Sequence, residues 1–195
     1  MSLRQIALLV VFGLAACKSS NPDLEDNTHD FPPADNPVVQ ARLQARVDNM
    51  KYQRGVTLIT NLERLAAYGE LALPVCIDGS KSEDAMTRMG CAWVLGRIGD
   101  TRAVPTLTGM LNDDVAFVRY EAASQLGVIG SKAGYRVLVK GLEDEKLEYR
   151  FKCHEALREL TGKNFGYSHN ASPELRAAAV KKWQQWVDDI ESEDL

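Results

Sequence analysis

The sequence predicts an all-α protein built as a short solenoid, a row of helical hairpins that cover one another's apolar faces. Three observations predict it. Apolar and charged residues recur with a period of 31. Glycine and aspartate punctuate the helical stretches at matching registers. No stretch alternates polar and apolar residues as a half-buried strand would. The 195 residues are 45% hydrophobic and 26% charged, with 7% aromatic residues and seven prolines, which excludes a disordered tail, a collagen-like fibre and a multi-span membrane protein. A formal charge of −4 and a pI near 5.5 argue against a broad electrostatic grip on nucleic acid, so none is expected.

The chain opens MSLRQIALLVVFGLAAC. Arg4 precedes an uncharged run, Ile6 to Ala16, which ends in small residues and Cys17. A basic start, a short apolar run and a small-residue exit are the parts of a secretory signal, and the run falls short of the roughly 20 residues a transmembrane helix needs. Leu14-Ala15-Ala16-Cys17 resembles the lipobox of bacterial lipoproteins. That resemblance implies a signal peptide over residues 1–16 and lipidation of Cys17 by a thioether-linked diacylglycerol plus an N-terminal acyl chain of the palmitate type. The alternative is a plain secretory signal with a coincidental cysteine. One such chain binds a bilayer marginally and several hold durably, so the expected partner of Cys17 is the lipid bilayer of the cell envelope. By the same resemblance, Lys18 directs sorting to the outer membrane.

Residues 17–36 are expected to be the lipidated cysteine and a flexible acidic linker. Pro, Ser and Asn, with Asp23, Glu25, Asp26, Asp30 and Asp35, leave too little apolar surface to fold. Such a tether reaches about 25 Å on average. His29 stands in it without companions and reads as a solvated side chain. Asn36-Pro37 then pairs a helix cap with a proline at the first helical position, and the domain assigned to residues 37–195 begins there.

Within that domain Arg88, Arg119 and Arg150 are in register, as are Leu95, Leu126 and Leu157, and Ile98, Ile129 and Leu160. Glu83, Asp114 and Glu145 recur before the arginines, which predicts a structural ladder of ion pairs bridging each turn, with a ligand-binding role for Arg88, Arg119 and Arg150 as the alternative. Leu107 aligns with Leu138, Leu111 with Leu142, and Pro74 with Pro105. A slip of one residue places Leu65 and Gly69 in the same scheme. Each unit reads as helix, tight turn, helix, acidic turn. The central first helix is expected over Val115 to Ile129, with Val118, Ala122, Leu126 and Ile129 on one stripe. Gly99 and Gly130 end their helices in the left-handed region, and Asp100 or Thr101 caps the next one. Stacked units are expected to bury one continuous core.

The run from Arg88 to Pro105, with Val118-Arg119, Ala122-Ala123, Leu126-Gly127 and Ile129-Gly130, resembles HEAT repeats of the bacterial phycobilisome-lyase-like branch. The resemblance covers about residues 55 to 162 and implies a right-handed α-solenoid. Cys153-His154 and Thr161-Gly162 depart from the pattern of Ala122-Ala123 and Gly130-Ser131. Residues 160–174 look like the end of other HEAT-containing bacterial proteins. Ser172-Pro173 starts a last helix whose face carries Leu175, Ala179, Trp183, Trp186, Val187 and Ile190. This helix reads as the terminal cap of the stack, with a tryptophan binding patch as the alternative.

No HExxH, CxxC, glycine-rich phosphate cradle or GxSxG is present, so no catalytic, cofactor-binding or metal-binding residue is assigned. The paired His/Glu metal motifs of hydroxylase-type HEAT proteins are absent. His154 stands in the register of Ala92 and Ala123 and is expected to be packed and hydrogen-bonded; His169 is given a loop role. Cys91 and Cys153 are equivalent positions two units apart, about 20 Å, too far for a disulfide. Cys76 and Cys91 lie on adjoining helices and could approach, although the cysteines read more simply as small buried hydrophobes. Function then falls to the surface. In HEAT solenoids the second helices face the concave side, and by repeat phase Arg102, Thr106, Arg136 and Lys140 project there, with Asp78 and Met110 nearby. These four are the candidate contacts to an unidentified protein partner, against a plain solvated face as the alternative. The reading is a membrane-anchored adaptor or scaffold of the cell envelope and not an enzyme. The alternatives are a purely structural part of an envelope complex, and a lyase-like or ligand-binding protein with a deep polar pocket.

Overall fold

The Asn36 side chain accepts hydrogen bonds from the Val38 and Val39 amides at 2.9 and 3.4 Å, and α1 begins at the proline that follows. The computed structural model describes residues 36–193, so the expected signal peptide, Cys17, His29 and the linker up to residue 35 lie outside the described residues. Among the described residues nine α-helices follow one another without a strand: α1 (Pro37–Asp48), α2 (Gly55–Ala66), α3 (Leu73–Gly79), α4 (Ala85–Ile98), α5 (Val104–Gly109), α6 (Ala116–Val128), α7 (Tyr135–Gly141), α8 (Leu147–Thr161) and α9 (Pro173–Ser192). None of them is long and apolar enough to cross a membrane.

The 31-residue period becomes long first helices (α2, α4, α6, α8) and short second helices (α3, α5, α7). Gly99 and Gly130 take φ of 74° and 92°, where a Cβ would be strained, and release the chain from α4 and α6. α8 runs one residue further before Gly162 turns at φ 68°, which accounts for the Thr161-Gly162 departure. Asp100 accepts from the Arg102 amide at 2.8 Å, and a 3₁₀ turn over Thr101–Ala103 leads into Pro105, whose missing N–H costs nothing in the first turn of α5.

First helices stack in sequence, α2 on α4, α4 on α6 and α6 on α8, and each second helix packs against the first helix of the following unit. α1 lies on α3 and α9 on α7, so both ends are closed by a helix laid along the second row. The core differs from the single continuous one expected. It forms two apolar clusters that share α6: Val118, Ala122 and Leu126 face the N-terminal cluster, Tyr120 and Ala123 the C-terminal one. α6 is thus buried on two sides, and a polar strip runs between them. There the buried Glu121 accepts from Gln125 at 2.7 Å and from Lys152, its register mate one unit on, at 2.6 Å.

Side-chain volume alternates down the stack at the contact between a second helix and the next first helix. Gly79 meets Cys91 and Gly141 meets Cys153, whereas the middle unit holds Met110 and Ala122 at the same two registers. At the C-terminal end Trp183 is fully buried, with the Phe165 ring edge-on at 4.8 Å, and Trp186 leans on Tyr135 at 5.3 Å. The tryptophans therefore cap the core, as the shared stripe on α9 suggested.

Candidate functional site

One clamp repeats at every acidic turn. At its first position Ser82, Asp113 or Asp144 accepts a hydrogen bond from the amide two residues on, at 3.2, 2.9 and 2.9 Å. Six residues after that position an arginine turns its Nη1 back onto the two carbonyls of the turn: Arg88 onto Ser82 and Glu83, Arg119 onto Asp113 and Asp114, Arg150 onto Asp144 and Glu145, all within 2.7–3.1 Å. The predicted ladder between arginine and the acid five residues earlier is thereby corrected. The contact to that acid is with its backbone carbonyl, because the guanidinium lies under the turn while the acid's side chain points away from it.

The other guanidinium edge reaches the next unit. Arg88 holds Asp113 through Nε at 2.7 Å and Nη2 at 2.8 Å, and adds Asp114 at 2.8 Å. Its hydrogen bonds and that of the Val115 amide overcome the effect of burial and keep the Asp113 carboxyl below its usual range. In the last unit Arg150 Nε donates to the His169 carbonyl at 3.0 Å. The middle rung is open. The residue that should receive Arg119 is Asp144, but Tyr120 donates its hydroxyl to that carboxylate at 2.7 Å. Burial, reinforced by this hydrogen bond, pushes the Tyr120 pKa well up, so the hydroxyl remains a donor. Among the described residues Arg119 has no carboxylate partner, and apart from its turn carbonyls only the Tyr120 ring lies under it, at 5.9 Å.

The open rung faces a groove of about 760 Å³ between the starts of α6 and α8 and the end of α7. Phe117, Tyr120 and Tyr149 supply aromatic walls; Arg119, Lys140 and Lys146 supply cations. Asp114, Glu143, Asp144 and Glu145 also line it; of these acids Asp114 is held by Arg88 and Asp144 by Tyr120. An aromatic-walled groove with an unsatisfied guanidinium fork can receive a carboxylate in two parallel hydrogen bonds.

The four residues expected to contact a partner differ in their surroundings. Arg102 is closed off by Asp100 at 2.6 Å and Glu70 at 2.9 Å, and Arg136 by Asp188 at 2.7 Å and Glu191 of α9. Thr106 is half-buried on α5, and Met110 is buried in the core rather than lying on the surface beside them. Lys140 is exposed, makes no ion pair among the described residues and lines the groove opposite Arg119. That list holds neither Arg119, for which a ligand role is only the alternative to a structural one in the sequence, nor the aromatic residues of the groove. The signal was the register of Tyr120, where the preceding unit has Met89: a methionine cannot compete for the aspartate and a tyrosine can.

His154 is buried beside Tyr167, with ring centroids 5.0 Å apart, but neither ring nitrogen has a hydrogen-bond partner, contrary to expectation. Its Nδ1 is 3.7 Å from Glu155, too far for a hydrogen bond, and burial lowers its pKa. Among the described residues no three His, Cys, Asp or Glu side chains are grouped to hold a metal ion.

Comparison with known proteins finds partial likenesses. HEAT repeats match residues 57–127, and the PBS lyase HEAT-like repeat matches residues 118–144. Deoxyhypusine hydroxylase of Cryptococcus neoformans is 32% identical over 116 residues, which cover 56% of this chain and 32% of that protein. The chicken (Gallus gallus) deoxyhypusine hydroxylase is 33% identical over 94 residues, covering 47% of this chain and 31% of its own length. The chain thus spans about a third of the length of these curated relatives. The structure of human deoxyhypusine hydroxylase in complex with glycerol, 25% identical, covers 72% of this chain and 52% of its own at a TM-score of 0.42.

Proposed function

From a chain whose described residues form an all-helical HEAT-repeat domain, we propose a lipid-anchored adaptor of the bacterial cell envelope, held by acylated Cys17, which docks a protein partner in the groove at Arg119. The observation that carries the docking is the open rung. Arg88 grips a carboxylate with the same guanidinium edge that Arg119 presents unfilled, so the partner is expected to offer an Asp, Glu or terminal carboxylate flanked by apolar side chains that meet Phe117 and Tyr149. Lys140 and Lys146 offset the repulsion that Glu143 and Glu145, which line the same groove, exert on such a segment. The anchor rests on the run from Ile6 to Cys17.

The test places a photocrosslinking residue at position 140 in the full, membrane-bound chain and identifies adducts by mass spectrometry, with and without Arg119→Gln. Specific adducts that disappear with Arg119→Gln support the reading. Adducts that persist unchanged, or none above an unirradiated control, overturn the docking site. Separately, Cys17→Ser is expected to move the protein from the membrane to the soluble fraction, and an unchanged membrane fraction refutes acylation there.

A further inference from the structure

Cys76 and Cys91 are the two thiols brought together by the contact of α3 with α4. Both are fully buried, and both are free thiols in the structure. A Cβ added at Gly79 would lie 2.5 Å from Cys91 Sγ, so that sulfur rests directly over the Gly79 backbone. Cys76 is three residues before Gly79 on the same short helix, hence on the same face one turn away. The last unit shows what this contact needs by itself. Cys153 rests over Gly141 in the same way, and the position equivalent to Cys76 is there Leu138, as it is Leu107 in the middle unit. An apolar leucine suffices for packing; the first unit alone places a second thiol beside the first.

We infer that Cys76 and Cys91 form an intramolecular disulfide, pinning α3 to α4, when the chain folds in the presence of a disulfide oxidant. The chemistry is two exchanges. One cysteine thiolate attacks the oxidant's disulfide, forming a mixed disulfide and releasing one oxidant thiol; the second cysteine then attacks the mixed disulfide and releases the other. Two cysteine thiols give up two protons and two electrons, and one oxidant disulfide becomes two thiols. The exchange belongs to folding rather than to the finished protein. The buried Cys91 thiol, raised well above its ordinary pKa by the neighbouring Cys76 thiol and by burial, is a poor nucleophile once the helices have closed. This inference is independent of the groove and of the anchor.

The test uses the full chain carrying Cys17→Ser, unfolded and reduced, then refolded by dilution into a mixture of oxidised and reduced glutathione. The expected product has native helical circular dichroism and a mass lower by two hydrogen atoms. It retains a single thiol titratable in denaturant, Cys153, and yields a Cys76–Cys91 cross-linked peptide on digestion. Reduction should lower its urea midpoint, and Cys76→Ser should abolish both the mass loss and that response. Three free thiols after oxidative refolding, glutathione adducts at Cys76 or Cys91, a bridge to Cys153, or a cross-linked product without native helicity would each overturn it.

Discussion

Gly141 and Cys153 allow the volume alternation along the stack to be tested as a coupled pair. A Cβ at Gly141 would collide with Cys153 Sγ and lie 2.8 Å from Tyr120 Cε1. Since apolar atoms rest about 3.5–4.0 Å apart, the clash is roughly 1 Å deep. Overpacking of that kind costs about 1–3 kcal/mol, which in a domain of this size lowers Tm by about 2–4 °C for each kcal/mol. Cys153→Ala alone should cost about 1 kcal/mol through the lost buried sulfur. Together the two changes reproduce the pattern of the middle unit, where Ala122 leaves room for Met110. The added methyl then occupies space the sulfur vacated, so the double variant should be more stable than the sum of the single effects by at least about 1 kcal/mol. Urea denaturation of the four proteins in the cycle measures this. Gly134→Ala is the control without a remedy, because there the clash is with the backbone of Ala123, its Cα at 2.7 Å, which no side-chain truncation can relieve. Strict additivity of Gly141→Ala and Cys153→Ala would refute the claim that these helices are fitted by paired volumes.

Two further outcomes follow from the clamps and from the buried histidine. Arg88→Gln strands Asp113, whose side chain is only 8% exposed, and should cost about 3–5 kcal/mol; Arg119→Gln loses only hydrogen bonds to turn carbonyls and should cost about 1–3 kcal/mol. Equal losses in urea denaturation would mean that the middle rung is closed. Because burial holds the His154 pKa below its ordinary 6.5, the unfolded chain binds the proton more readily than the folded one. Its contribution to stability is therefore intact above about pH 6.5 and declines as the pH falls through that value toward the folded pKa. A urea midpoint that does not fall between pH 7.5 and 5, or that falls equally in His154→Leu, would remove that role.

Much of the fold was legible because it is set by local rules. The registers of Leu95, Leu126 and Leu157, the glycines that end α4 and α6, and the caps at Asn36 and Ser172 are features of consecutive residues. The helices appear within one or two residues of where those features place them; the central first helix, expected over Val115 to Ile129, spans Ala116–Val128. The same rules identified the core role of Trp183, since a residue on the buried stripe of a last helix has one neighbour to pack against.

The candidate site was less legible, because it depends on which of two donors reaches one carboxylate. Repeat phase put Arg102 and Arg136 on the surface correctly, yet could not show that Glu70 and α9 bring acids to them from 32 and 55 residues away. It marked the three arginines as equivalent, although their outer edges have three different fates: Asp113, an open groove and the His169 carbonyl.

The sequence by itself determined the helices, their period and their order, because periodic apolar stripes and turn residues act over a few positions along the chain. Only the tertiary structure decided the bond from Tyr120 to Asp144, the double burial of α6 and the approach of Cys76 to Cys91. Each of these is a competition in space between groups from different units, and hydrogen bonds and excluded volume depend on distance and direction, which a register does not carry.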